Sequence, residues 1–290
     1  MAAFLLHLAI MAGIFVILAV SLNLIIGFAG QVSLGHAAFC GIGAYTSALA
    51  VVNLNFPFPL AALAAVVVAG LWGLALGLPT LRLKEDYLAI VTLGFGVIAD
   101  QVFLNLEITG GPDGLAGIPS PSFFGVSFRP APLYLFLVLL MVALTLLIVW
   151  RLARSHHGRA LRAIRDHETT AQVMGINTKN YKIAVFTLAA GLAGLGGSLF
   201  AHYITFINPE SFGLHTSILI LCMVVLGGMG SLTGSVAGAV ILSVLPEALR
   251  RFDAYQDLAY GALLVGLLIW RPEGLLGRGK LSLKFLKKQG

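Results

Sequence analysis

Apolar runs about as long as a bilayer is thick repeat along this chain from end to end. A helix needs about 20 such residues to cross the hydrocarbon core. On that measure spans are expected at 3–27, 34–53, 58–80, 87–106, 132–151, 183–206, 214–230, 233–250 and 257–271. The segments 87–106 and 214–230 fit a full crossing least well. The pattern predicts an all-α polytopic bundle of about nine transmembrane helices, one domain over 1–290, with a polar loop at 152–182 and a basic tail at 272–290. The first apolar run, Ala2 to Ile26, has no basic residue ahead of it and exceeds the roughly 7–15 residues of a signal-peptide core. It reads as a retained span.

The longest interruption is Arg151 to Lys182. Within it Ala160, Ala163, Ile164, His167, Ala171 and Met174 recur at helical spacing, with Arg159, Arg162, Asp166 and Thr169 on the opposite face. Gly175 follows Met174 as a helix stop. The expectation is one short amphipathic helix. It could lie on the membrane with its basic side toward lipid headgroups, or dock a partner, and a basic helix alone does not choose. The apolar side, Ala160, Ile164 and Met174, could seat on the chain's own helices while Arg162 and Arg165 meet that partner, or the reverse.

The charges give the chain a direction. Of 18 Lys and Arg, fifteen fall at Arg82 and Lys84, in 151–182, or in the C-terminal stretch from Arg271 to Lys288, all on one side if nine spans cross. Short loops rich in Lys and Arg stay in the cytoplasm. This places the N-terminus outside and the C-terminus inside. Composition agrees with the membrane class: 59% of residues are hydrophobic and 10% charged, against roughly 25% charged in soluble domains. The net charge of +6 sits in loops between apolar segments, which argues against nucleic acid.

Two interruptions are short and rich in glycine. Gly27 to His36 carries Gln31, Ser33 and His36, polar groups that need partners at membrane depth. Gly227 to Gly234 repeats its G-x-x-G and Ser-Leu pattern. Broken helices in corresponding positions point to a transport pathway, so Asn23, Gln31, Ser33 and His36 are the candidate pathway residues. Gly230, Gly234 and Gly238 recur every four residues, a stripe that lets membrane helices approach closely. Gly73 and Gly77, and Gly191, Gly194 and Gly197, read the same way. The loop from Glu107 to Ala131 is dense in turn residues and is either a solvated connector or a docking or gating surface.

Catalytic chemistry has no foothold. Neither paired carboxylates, metal-ligand spacing nor a nucleophile elbow occurs, and Cys40 and Cys222 read as packing residues. His36, His202 and His215 are isolated, and Asp100 is the one acid more than a turn inside a span. The stretch Gly274 to Leu281 nearly spells a phosphate-binding loop, but Leu281 replaces the Ser or Thr that magnesium requires. No catalytic residue, metal or cofactor is expected; any ATP and magnesium would be bound by partner subunits.

Gly27-Phe-Ala-Gly-Gln-Val-Ser-Leu-Gly-His-Ala-Ala-Phe with Gly43-Ala44-Tyr45 resembles the signature of the M-type (LivM-like) permeases of branched-chain amino acid ABC transporters. Thr109 to Pro119, Gly158 to Glu168 and Leu226 to Gly234 agree with it, and the resemblance runs from about residue 15 to 280. It implies a multi-pass permease subunit in a bacterial cytoplasmic (inner) membrane. The implied partners are an H-type permease, two cytoplasmic ATPase subunits and an external substrate-binding protein, besides membrane lipid. It makes 159–175 a coupling helix seated in an ATPase cleft, with Arg159, Arg162, Ile164, Arg165, Asp166, Glu168, Ala171, Met174 and Gly175 as its residues. Where relatives show Glu-x-Ala-Ala, this chain has Glu168-Thr-Thr-Ala. Two other readings stay open: the same machinery importing urea or short amides, and an ion-coupled secondary transporter. The second is disfavoured by the scarcity of acids within spans.

Overall fold

A computed structural model describes residues 2–80, 85–123, 126–249, 261–262, 265–266 and 274–275. The helices are α1 (Ala2–Asn23), α2 (His36–Val52), α3 (Phe58–Thr80), α4 (Glu85–Asn105), α5 (Ala131–Arg154), α6 (His156–Asp166), α7 (Glu168–Val173), α8 (Thr178–Ile204), α9 (Leu214–Gly227) and α10 (Leu232–Leu249). The protein is an all-α multi-pass bundle. The four strands among the described residues are two-residue pairings in loops: β1 (Leu115–Ala116) with β4 (Phe206–Ile207), and β2 (Ser122–Phe123) with β3 (Val126–Ser127).

Six helices are long and apolar enough to cross a bilayer; the stretches 36–52 and 232–246 are apolar but shorter. Among the described residues six of the nine expected crossings are long apolar helices and two are shorter ones, so the coarser statement, a multi-pass bundle, is what holds. The ninth, 257–271, and the basic tail, 272–290, lie outside the described residues apart from a few positions. The polar loop is also shorter than expected. The helix α5 runs on to Arg154 and α8 begins at Thr178, so Lys179 and Lys182 stand on a helix.

Small residues set the packing. The core is α2, α3 and α8, in which glycine replaces side-chain volume with backbone contact. A Cβ on Gly43 would overlap the Gly194 backbone, one on Gly197 the Cys40 carbonyl, and one on Gly73 the Ala190 side chain. Around this core α1 packs against α5, α8 and α10. Gly234 and Gly238 of α10 lie on the Gly227 and Met223 backbone of α9, as a packing stripe should. Gly230 is not part of that stripe. It stands in the break before α10 with a φ of 81°, and packs elsewhere.

The bundle has two distinct ends. At one, β1 pairs with β4, Ile118 N–H donates to the Thr205 carbonyl, and His202 Nδ1 bonds the Pro119 carbonyl. The loop after α4 is thus tied to the end of α8, with Thr109 and Ile118 buried; it is not a free connector. At the other end lie both glycine breaks and the α6–α7 pair. Of the basic regions, 151–182 lies at this second end, while Arg82, Lys84 and the C-terminal stretch fall outside the described residues apart from a few positions.

Candidate functional site

The site is built where α1 fails to finish as a regular helix. Residues Leu24–Phe28 form a π-turn, which widens the helix by one residue per turn and shifts its hydrogen bonds. Gln31 N–H then donates to the Ile25 carbonyl, and Gly30 turns the chain with a φ of 72°. Only glycine takes that region without penalty. The chain re-enters as α2 at His36.

Asn23, the last residue of α1, reaches across to the second break. Its Oδ1 accepts from Gly230 N–H at 2.8 Å, and its Nδ2 donates to the Ser231 carbonyl at 3.2 Å. The end of α1 and the second break meet through this one side chain, across the 207 residues between Asn23 and Gly230. Gly27 and Gly230 touch backbone to backbone, and a Cβ on Gly27 would overlap both Asn23 Oδ1 and Gly230.

The amphipathic segment joins the same place. Arg165 Nη1 donates to the Gly27 carbonyl at 2.5 Å and lies against Gly230; a Cβ on Gly30 would press on Arg165 at 3.0–3.3 Å. Glycine at 30 therefore lets α6 seat close beneath the first break. One guanidinium, one carboxamide and three glycines fasten together the ends of α1, α6 and α10.

The expected single helix over 159–174 is two. His167 is extended (φ −155°, ψ 95°) and separates α6 from α7. The break turns the second half, so the expected apolar face does not continue through it. Ala160, Leu161, Ile164 and Ala171 are buried, whereas Ala163 and His167 are exposed, as are Val173 at 87% and Met174 at 79%. Gly175 does end the segment: with a φ of 82°, its N–H bonds the Gln172 carbonyl while Ile176 N–H bonds that of Ala171. Glu168 pairs with Lys182 of α8 at 2.7 Å, fixing α7 to the bundle. Arg162 donates to the Ala153 carbonyl at 3.3 Å, within its own hairpin. Arg159 and Asp166 face outward.

The remaining expected residues, Gln31, Ser33 and His36, are all buried in the loop between α1 and α2. That loop is held from three helices. Leu34 N–H donates to Thr92 Oγ1 of α4 at 3.0 Å, Ala37 N–H to Ser217 Oγ of α9 at 3.0 Å, and His36 Nε2 meets Ser21 Oγ of α1 at 2.8 Å. Ser21 already donates its only hydroxyl proton to the Leu18 carbonyl. It can then only accept from the imidazole, so His36 carries its proton on Nε2 and Nδ1 is a bare acceptor. Among the described residues Gln31 Oε1, Ser33 Oγ and His36 Nδ1 have no hydrogen-bond partner. Three orphaned polar atoms within six residues are costly unless something else satisfies them. Asn23 differs from these three: both ends of its amide are used in joining the breaks.

Sequence reasoning missed Ser21, Thr92, Ser217 and Ser231. Ser21 and Thr92 are lone hydroxyl residues in apolar stretches, where such residues ordinarily bond back to their own helix. Nothing in the sequence sets Ser217 apart from Thr216 beside it or gives Ser231 a partner beyond its own break. His202 proves satisfied, its Nε2 on Ser47 and its Nδ1 on Pro119.

Comparison with known proteins decides the family. The profile described as "Branched-chain amino acid transport system / permease component" matches residues 4–269. The chain belongs to this permease family. It is 41% identical to the high-affinity branched-chain amino acid transport system permease protein LivM of Salmonella typhimurium, over 97% of the chain and 72% of that relative. It is 40% identical to LivM of Escherichia coli, over 93% of the chain and 69% of the relative. The permease protein LivH of Salmonella typhimurium is 25% identical, with 92% of each covered. This permease resembles a second, differently named permease of the same transport system along nearly its whole length. No solved structure matches it.

Proposed function

We propose that this permease is the M-type membrane subunit of an ATP-driven importer of branched-chain amino acids, working in a bacterial inner membrane beside an H-type permease, two ATPase subunits and an external binding protein. The observation that carries the reading is the convergence of α6 and both helix breaks on Asn23, Gly27, Gly230 and Arg165. A permease whose ATP is hydrolysed by separate subunits needs a mechanical input, and in this reading the α6–α7 pair receives it.

In this reading the break end is cytoplasmic. The outward surface of the α6–α7 pair, Asp166, Val173 and Met174, meets the ATPase. Arg165 and Asn23 transmit its displacement into the ends of α1 and α10 as a rigid-body shift. Gln31, Ser33 and His36 then satisfy their free polar atoms with water or the passing zwitterion. ATP and magnesium stay on the partner subunits.

Leucine uptake into vesicles holding the assembled importer tests this. Uptake is expected only with ATP and all subunits present. Gradient-driven uptake by this chain alone would make it a secondary transporter, and ATP-driven uptake of urea in place of leucine would change the cargo but keep the machinery.

A further inference from the structure

A second cleft opens at the same end of the bundle, away from the orphaned polar atoms. It encloses about 500 Å³ between the end of α5, the start of α6 and the second break, and its polar lining is Arg154, Arg159, Arg162, Ser231 and Thr233. No acid lines it. Among the described residues neither Arg154 nor Arg159 has a carboxylate partner, the one ion pair being Lys182 with Glu168. The start of α10, 18 residues long, forms one wall. Ser231 Oγ accepts from Gly234 N–H, while the amides of Leu232 and Thr233 stand before any intrahelical acceptor. Guanidinium groups, hydroxyls and the positive end of a helix together make a site for an oxyanion.

What fills the cleft follows from its outer wall. Along α5 an exposed stripe runs Phe136, Leu140, Leu144, Leu147 and then Trp150, and ends at Arg154, whose guanidinium sits 4.4 Å over the indole. From Phe136 to Arg154 the stripe rises about 27 Å, close to the thickness of the hydrocarbon core. An apolar stripe of that length closing on Trp and Arg is a lipid-facing surface ending at headgroup level. The cleft opens at that level, bordered by the same Trp150. We propose that it binds the phosphate of an anionic phospholipid headgroup, whose acyl chains lie along the α5 stripe. The bound lipid would wedge between α5, α6 and the second break, and so bear on the joint made by Asn23.

The test uses the assembled importer in nanodiscs, with phosphatidylglycerol retention counted by native mass spectrometry against phosphatidylcholine. Phosphatidylglycerol is expected to be retained selectively. The double substitution Arg154→Gln with Thr233→Ala should weaken its retention about tenfold, the loss of roughly one charge-assisted contact, and leave phosphatidylcholine unchanged. Arg154→Lys should recover part of the affinity and shows that the site, not the fold, was altered. Equal retention by wild type and the double variant overturns the proposal. Inorganic phosphate that displaces the lipid and protects alone would assign the cleft to a free phosphate instead. Cross-linking of position 154 to an acidic side chain of an ATPase subunit, with no lipid bound, would assign it to a protein partner.

Discussion

Replacing Asn23 by alanine removes a side chain but strands two backbone groups. Gly230 N–H loses the acceptor it holds at 2.8 Å, and the Ser231 carbonyl loses the donor at 3.2 Å. The first distance is that of a good N–H···O bond and the second is at the long limit. Asn23 is fully buried, so water does not simply replace it. A buried backbone group left unpaired costs about 1–3 kcal/mol. The shorter bond belongs at the upper part of that range and the longer at the lower, for about 3–4 kcal/mol in all. That energy holds the second break against α1. Once it is lost, the break no longer follows α6, and a shift in a two-state equilibrium of this size is more than a hundredfold. The assay is leucine uptake per ATP hydrolysed in reconstituted importer. Asn23→Ala is expected to keep at least half of the ATPase rate while transport per ATP falls tenfold or more. Asn23→Gln, which keeps the amide but misplaces it, should fall between. A transport-to-ATP ratio within twofold of wild type for Asn23→Ala, in a complex that assembles normally, would refute the joint.

Three further outcomes follow from the geometry. Glu168→Gln leaves Lys182, 10% exposed, without its partner at 2.7 Å; the cost is expected to be about 1–2 kcal/mol, because Glu168 itself is a third exposed, and limited proteolysis at 168–176 should speed up several-fold. Gly43→Ala forces a Cβ onto the Gly194 backbone and should abolish stable expression, whereas Gly94→Ala meets nothing within 4 Å and should be neutral; fluorescence-detected size exclusion separates the two. Cysteine placed at Met174 or at Gly117 tests the sidedness, with a membrane-impermeant maleimide expected to reach position 117 from outside and position 174 only from the cytoplasm.

Much of the architecture was legible because membrane helices announce themselves by length. Eight of the expected spans have a helix where the apolar run lies. Length fails for α2, which is apolar yet shorter than a full crossing, because its start is set by the glycine-rich first break, whose geometry composition does not specify. The amphipathic segment fails differently. Periodicity ran through His167 because neither glycine nor proline marks the break; an extended backbone there is imposed by Glu168 reaching Lys182 and by α6 reaching the π-turn, both tertiary contacts.

The same blindness explains Arg165. A basic residue on an amphipathic helix reads as an outward charge, since a guanidinium is expensive to bury and cheap to leave in water. Here the residue stays exposed, yet one guanidinium nitrogen reaches back to the Gly27 carbonyl, which the end of α1 leaves without an intrahelical donor. The glycines at 27, 30 and 230 clear the space it needs. Each of those features is weak alone: a glycine pair, a lone Asn, an Arg among other Arg residues. Only the crossing of 138 residues between Gly27 and Arg165, and of 207 between Asn23 and Gly230, makes them one device. Conservative replacement should then be least tolerated where the sequence looks least specific: Gly230→Ala would meet both a left-handed backbone and the Arg165 guanidinium, and is expected to uncouple transport as fully as Asn23→Ala while leaving every charge in place.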